Sequence, residues 1–324
     1  MVDEDGSAAK VDSLESVPAG VEAVAHRVVH GGRRFGVATV VDDEVLDEIR
    51  KLSELAPLHN GPALAAIAEA RRALPDVPHV AVFDTVFHRT IPPEAATYAV
   101  PRRWRDEWEI RRYGFHGLSV QWAAERVRAE RLVVCHLGGG CSVTAVRDGR
   151  SVETTMGFSP LEGVPMATRA GSIDAEIVLY LLRHRLLSPE EIEVQLERES
   201  GLLGLSGISG SVEELEASPE PDARFALELF AYRVAGAVGA MAVALGGLDA
   251  IVFTAGIGEN SPRVRDLVCG RLGFLGVELD PEANAGARPD ADVGAAGSRA
   301  RVVVLEARED LVAARAARAL LRLS

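Results

Sequence analysis

Residues 132–140 read Leu132-Val133-Val134-Cys135-His136-Leu137-Gly138-Gly139-Gly140, a β-forming run that stops on three consecutive glycines. Ser142-Val143-Thr144-Ala145-Val146 follows, then Arg147-Asp148-Gly149-Arg150, then a further apolar run at 152–154. An Asp-Gly pair between two such runs predicts a hairpin, because both turn residues must accept positive φ. The glycine triplet reads either as a plain turn or as a cradle of backbone amides for a phosphate.

The same pattern recurs along the chain. Strands are predicted over 24–29, 80–83 and 250–254, closely followed by His30-Gly31-Gly32, Asp84-Thr85 and Ala255-Gly256-Ile257-Gly258. Helical patterns cover 63–73 after Pro62, 118–130 after Gly117, 223–245 after Asp222, and 309–321. Ser188-Pro189-Glu190-Glu191 is a capping box with proline at the first helical position. Short apolar runs alternating with helices predict an α/β fold, whose strand C-termini collect ligands. Residues 1–20 read as a tail, and 285–298 as a low-complexity loop.

A chain of 324 residues corresponds to roughly two domains of about 150 residues each. Forty-eight acidic residues against 35 basic ones leave a formal net charge of −13, and aromatic content is 5%. Such a surface repels phosphate backbones and offers few stacking platforms, so nucleic acid is not an expected partner. The longest apolar stretch, 234–248, is too short and too glycine-broken to span a bilayer, and Met1-Val2-Asp3-Glu4-Asp5 has no apolar core behind it. Neither a membrane partner nor a signal peptide is expected. Cys135, Cys141 and Cys269 form no C-x-x-C pair, which points to the reducing cytoplasm. Lys10 and Lys51 lie outside any G-x-x-x-x-G-K-[ST] pattern, which excludes a P-loop.

Seven of the eight histidines fall within the first 136 residues, several beside other chemically able groups. In Ala25-His26-Arg27-Val28-Val29-His30, strand alternation puts Arg27 and Val29 on one face and His26, Val28 and His30 on the other. A guanidinium beside an apolar wall suits a short carboxylate with a methyl tail, and equally an ordinary ion pair. Asp84 ends its strand as either a turn cap or a metal acceptor, one or two carboxylates being sufficient for magnesium. Arg111-Arg112-Tyr113-Gly114-Phe115-His116-Gly117 sets an aromatic and a histidine between glycines that admit a ligand or make a tight turn. The segment 155–163 and Thr168-Arg169-Ala170-Gly171 form a long loop carrying Pro160 and Arg169. Residues 253–261 read as strand, glycine loop and helix start at Pro262, a candidate nucleotide edge lacking the G-x-G-x-x-G fingerprint.

Eight strings in this order, HRVVHGG, LAPLHN, VAVFDTVFH, RRYGFHG, HLGGGCSV, TTMGFSPLEG, SGLLGLSG and VFTAGIGENS, resemble the acetate kinase family, the acetate and propionate kinases of the actin/hexokinase/Hsp70-like fold. They run from His26 to Ser261. The resemblance implies a two-domain actin-like α/β fold, with domain I at 1–86 plus 308–324 and domain II, the nucleotide and dimerisation side, at 87–307. It also implies in-line phosphoryl transfer from ATP to acetate or propionate with Mg2+ or Mn2+, a reaction that relies on positioning and charge neutralisation. By motif, Arg27 and Arg169 would bracket the carboxylate and the transferred phosphoryl. His116 would donate to that phosphoryl's equatorial oxygens, with His59 nearby. Asp84 and Glu309 would hold the metal, and Val29, Leu58, Phe115 and Pro160 would form the pocket for the alkyl end. His136, Gly138, Gly139, Gly140, Gly256, Ile257, Gly258 and Asn260 would face the nucleotide. A homodimer is implied as well.

The departures from the family pattern are specific. Relatives begin with a strand and tight turn bearing asparagine, serines and a lysine, whereas residues 11–20 already resemble the segment just before HRVVHGG. An incomplete N-terminal domain with an unpaired sheet edge is therefore expected. The family's HLGNG appears as His136-Leu137-Gly138-Gly139-Gly140, and its Asp-x-Arg after SGLLGLSG as Ser211-Val212-Glu213. Val120 stands where relatives have histidine. The carboxylate side is thus better preserved than the nucleotide side. Two alternatives remain: a non-catalytic paralogue that binds a small acid or a protein partner, and a kinase using another phosphoryl donor such as pyrophosphate.

Overall fold

The computed structural model describes residues 1–3, 8–9, 20–53 and 57–323, and of residues 57–59 the backbone only. Its strands are β1 (Val24–Val28), β2 (Thr39–Val40), β3 (His79–Phe83), β4 (Arg131–Leu137), β5 (Cys141–Arg147), β6 (Arg150–Thr154), β7 (Ala250–Thr254), β8 (Ala291–Asp292) and β9 (Arg301–Val304). They form a sheet of order β1-β3-β2 and another of order β6-β5-β4-β7-β9-β8. The chain divides into two compact units: Met1–Thr90 with Tyr113–Trp122 and Ala307–Ser324, and Ile91–Arg112 with Ala123–Glu306.

In the first unit β1 and β3 run parallel, with Arg27 opposite Val82, and β2 pairs antiparallel to β3. The central strand β3 is buried at every position, so its His-Val-Ala-Val-Phe sequence shows no alternation. Phe35 stacks on Phe83 with ring centroids 4.5 Å apart, over Val28, Ile49 and Ile67. The Asp43–Leu52 helix is capped by Asp42, whose side chain accepts from the Val45 amide, and carries acids in its first turn and bases in its last. The next helix spans Pro57–Ala73, so Pro62 lies inside it and does not mark its start. A proline there removes one backbone bond, while the fully buried Ile67 anchors the helix to the core. The Glu309–Leu321 helix packs on β1 and β3.

The second sheet has a parallel centre, β4-β7-β9, with antiparallel strands at both margins. The β5–β6 turn has φ of 49° at Asp148 and 76° at Gly149, the backbone that Asp-Gly predicts. The Pro221–Leu245 helix lies on β4 and β5, burying Leu227, Phe230, Val234 and Val238. Among the described helices it is the one long and apolar enough to cross a membrane. Three sequence expectations are corrected here. The helix after Gly117 stops at Arg126, ahead of β4. The segment 285–298 contains β8, which pairs with β9. The glycine loop after β7 is itself a short helix, Ala255–Asn260.

Two buried histidines make the first unit sensitive to acid. His26 Nε2 lies 2.9 Å from His79 Nδ1, and His79 Nε2 lies 3.0 Å from the Leu74 carbonyl. A carbonyl can only accept, so His79 Nε2 is the donor to Leu74. Burial, reinforced by His79, lowers His26 to about 4. Burial also lowers His88 to about 4, against the pull of the Phe115 carbonyl that its Nε2 meets at 2.8 Å. Both are neutral in the folded state near pH 7, while the unfolded chain takes up protons from about pH 6.5. Their contribution is therefore complete above that pH and is lost as pH falls toward 4. The urea midpoint should drop between about pH 7.5 and pH 5, and His88→Gln, which keeps a donor without titrating, should shrink the drop. An identical pH slope in the variant would contradict this assignment.

Candidate active site

Three ionisable groups from distant parts of the chain converge in the first unit. Arg27 projects from β1, Asp84 follows β3 by one residue, and Glu309 opens the C-terminal helix. The Asp84 amide continues the β1–β3 ladder by bonding the Val28 carbonyl at 3.0 Å, which brings its carboxylate to Arg27. Arg27 Nε donates to both Asp84 oxygens at 3.0 and 3.1 Å, and Nη2 donates to Oδ2 at 2.6 Å. Nη1 lies 3.0 Å from Glu309 Oε2. Asp84 is completely buried, and a carboxylate so placed is tolerated only when paired. Burial opposes the Arg27 charge, but Asp84 and Glu309 outweigh it and hold the guanidinium above its ordinary range. Burial pushes Glu309 up to about 7, against the attraction of Arg27 and with the help of Asp84 and Asp310.

The turn that carries His116 is locked to the same place. The Gly117 amide donates to the Asp84 carbonyl at 3.0 Å, and a Cβ at Gly117 would run into that oxygen. His116 itself has φ of 59°, the left-handed region. Phe115 is buried, its ring edge-on to His30 at 5.4 Å. Asn60 bonds both the amide and the carbonyl of His30, at 3.1 and 3.2 Å, and so fixes the chain just past the half-buried Val29. The side chains of Leu58 and His59 lie outside the described residues.

In the second unit Arg169 Nη1 donates to the Pro160 carbonyl at 2.9 Å, and its Nε lies 3.6 Å from Glu197 Oε2. Burial lowers the Arg169 pKa, with Glu197 opposing. The loop around Pro160 is held from behind. Arg112 donates to the Thr155 and Met156 carbonyls and to Glu162, while the Tyr98 hydroxyl donates to Glu162 and accepts from the Phe158 amide. Gly157 sits where any Cβ would strike Glu162 and Tyr98.

The glycine loops meet because β4 and β7 are parallel neighbours with His136 opposite Thr254. A Cβ on Gly138 would lie 3.4 Å from the Ala255 Cβ and 3.9 Å from the Gly256 amide. A Cβ on Gly139 or Gly256 would meet nothing within 4 Å. Thr254 Oγ1, at the foot of these loops, is buried with no hydrogen-bond partner among the described residues. Gly140 O accepts from the Gly138 amide, and Gly258 is buried against the Phe253 backbone. The Asn260 side-chain amide bonds the Gly256 carbonyl at 2.9 Å, Ile257 is half-buried between them, and His136 is 8% exposed. Ser211 caps the Val212–Ala217 helix, accepting from the Glu214 amide.

Arg27, Asp84, Glu309, Val29, Phe115 and His116 thus belong to the first unit, and Arg169, Pro160 and both glycine loops to the second. Among the described residues no three His, Cys, Asp or Glu side chains cluster as metal ligands; Asp84 and Glu309 are a converging pair. Sequence reasoning missed Asn60, Tyr98, Glu162 and Glu197. Glu162 lies inside the TTMGFSPLEG string, but its tie to Tyr98 spans 64 residues and leaves no local signal.

The Acetokinase family profile matches residues 8–315. The chain is 47% identical over 306 residues to an acetate kinase of Heliobacterium modesticaldum, covering 91% of this chain and 77% of that protein. It is 47% identical over 311 residues to an acetate kinase of Gloeobacter violaceus, covering 92% and 76%. A propionate kinase structure from Francisella tularensis superposes with a TM-score of 0.87 at 36% identity, over 94% of this chain and 79% of that one. The Porphyromonas gingivalis acetate kinase structure gives 0.86 at 32% identity, over 98% and 82%.

The contact between Gly117 and Asp84 is open to test without any assay of activity. Gly117→Ala should destabilise the chain by about 1–3 kcal/mol, as forced overpacking does, read as a lower urea midpoint. An unchanged midpoint would mean that the two backbones are not in contact.

Proposed function

This chain belongs to the Acetokinase family, and on that premise we propose that it transfers the γ-phosphoryl group of ATP to acetate or propionate, forming an acyl phosphate and ADP. The observation that carries the reading is Arg27 gripped between the carboxylates of Asp84 and Glu309. A cation at the acceptor end of β1 offers an anionic acid its counter-charge, and two acids beside it offer oxygen donors to a divalent ion.

The chemistry is simple in its balance. A carboxylate oxygen of the acceptor attacks the γ-phosphorus, the bond from that phosphorus to the bridging oxygen breaks, and ADP leaves with the electron pair. No proton has to move, so the protein's task is to suppress repulsion between anions and to align them. Arg27 and Arg169 are assigned to charge neutralisation on the acceptor and the transferred group, and His116 to donation toward the equatorial oxygens. Val29, Leu58, Phe115 and Pro160 are assigned to the acid's alkyl end. Asp84 and Glu309, an oxygen-only donor pair, fit Mg2+ or Mn2+, which when bound would neutralise charge on the donor phosphates. The glycines of the two loops, with His136, Ile257 and Asn260, are assigned to the donor side, where the orphaned Thr254 hydroxyl supports a polar ligand.

A specific observation favours keeping a second donor in view. Gly139 presents no side chain, and Ser211 is engaged as a helix cap. Donor recognition through adenosine therefore has fewer side-chain contacts than the family pattern supplies, which leaves pyrophosphate as the competing donor. Exposed apolar groups of the second unit, among them Ile177, Leu179, Tyr180, Phe225 and Tyr232, support pairing of two copies. Light scattering should then give twice the 34.5 kDa chain mass, and a monomer at micromolar concentration would contradict it. Three buried free thiols support a cytoplasmic setting.

Trapping the product with hydroxylamine should show acyl phosphate from ATP, Mg2+ and acetate. Arg169→Ala should lower the rate by about 3–4 kcal/mol of transition-state stabilisation, ~10²–10³-fold. An unchanged rate would remove Arg169 from the reaction. Absence of product and of binding with both ATP and pyrophosphate would overturn the kinase reading.

A further inference from the structure

Arg265 lies on the Pro262–Cys269 helix and is 1% exposed, the largest side chain buried to that degree among the described residues. A guanidinium held away from water persists only where its donors are met. The hydrogen-bond partners of Arg265 are oxygens of uncharged groups. Nε donates to Asn284 Oδ1 at 2.7 Å, Nη2 to the Asn284 carbonyl at 2.8 Å, and Nη1 to the Gly258 and Glu259 carbonyls at 2.8 and 2.9 Å. Asn284, itself 5% exposed, donates its amide to the Pro262 carbonyl at 2.9 Å.

Gly258 and Glu259 belong to the last turn of the Ala255–Asn260 helix, so the cation sits at the negative end of that element. Six residues rich in glycine cannot hold a helix by themselves; the position of this one depends on what grips its ends. Glu259 returns to the Ala255 amide at 2.8 Å, and Ser261 donates to Glu216 at 2.5 Å. Arg265 joins the segment to another helix, Pro281–Ala285, through Asn284. At the opposite end of the same short helix stand Ala255 and Gly256, beside Gly138.

We propose that Arg265, braced by Asn284, is the positioning residue of the phosphoryl-donor side: it holds the Ala255–Asn260 helix so that Gly256 stands against Gly138, and sets donor affinity without touching the donor. The inference rests on the assignment of the two glycine loops to the donor, so the test must separate the two ideas. Three variants do this: Arg265→Lys, Asn284→Ala and Gly256→Val, the last adding bulk where a Cβ meets open space. The readouts are calorimetric Kd for ATP, KM for acetate, and the thermal midpoint.

Arg265→Lys replaces five donors in a planar fork with three on one nitrogen and should weaken ATP by on the order of tenfold, the scale of a lost buried hydrogen bond, with KM for acetate unchanged. Asn284→Ala should act in the same direction and more weakly, and it decides the matter if Arg265→Lys fails to fold. Gly256→Val should also weaken ATP. Folded Arg265 and Asn284 variants with native ATP affinity, beside a weakened Gly256→Val, would overturn the clamp and leave the donor assignment standing. Equal losses for ATP and acetate would reduce Arg265 to a general structural role and likewise overturn it. Native ATP affinity in Gly256→Val, or no ATP binding by the unaltered chain, would instead overturn the donor assignment and the clamp with it.

Discussion

A carboxylate with no exposure to water is the constraint around which the first unit is arranged. Asp84, just past β3, is paired with Arg27 on the neighbouring parallel strand, which meets both of its oxygens. That pairing requires β1 and β3 in their observed register, and it leaves one face of the guanidinium for Glu309 from the far end of the chain. The backbone of the same aspartate takes the Gly117 amide, so the turn carrying Phe115 and His116 is fixed by the same residue. One buried charge thus organises two strands, a turn and the C-terminal helix. The trio sets two carboxyl groups against a single guanidinium, which leaves oxygen donors in excess of its cation.

The second unit applies a different device to a related end. Parallel β4 and β7 deliver their C-terminal loops side by side, and glycine is what lets those loops touch. Beside the ion pairs of Arg112 with Glu162 and Arg169 with Glu197, guanidinium-to-carbonyl hydrogen bonds hold this assembly. Arg112 and Tyr98 hold the Pro160 loop through carbonyls and Glu162, and Arg265 holds the Ala255–Asn260 helix through carbonyls alone. Hydrogen bonds from the half-buried Arg112 and the buried Arg265 tie these backbone oxygens down, which is the quality that positioning chemistry needs.

Much of the fold was legible because its signals are local. Short apolar runs, terminal glycine and Asp-Gly chemistry mark β1, β4, β7 and the β5–β6 hairpin. What escaped depends on tertiary support. Ala-Gly-Ile-Gly-Glu-Asn has poor helix propensity and is helical because Glu259 and Arg265 hold its two ends. Pro62 marks a helix start by rule, yet the packing of Ile67 carries the helix through it. In the site, Arg27 and Asp84 were picked out by their strand positions, and Glu309 by the resemblance. Partners such as Asn60 for His30 or Glu197 for Arg169 were not, since each tie joins segments about thirty residues apart with nothing in between to announce it.

If the Arg27–Asp84–Glu309 trio is catalytic equipment and not an internal ion pair kept for stability alone, removing one of its charges must cost turnover. Asp84→Asn preserves shape and hydrogen-bonding capacity while removing the charge, so acyl phosphate formation from ATP, Mg2+ and acetate by the native and altered chains is the direct comparison. Product is expected from the native chain, with a loss on the order of 10²-fold or more in the variant at equal folded fraction. Product formed equally fast by both would contradict it.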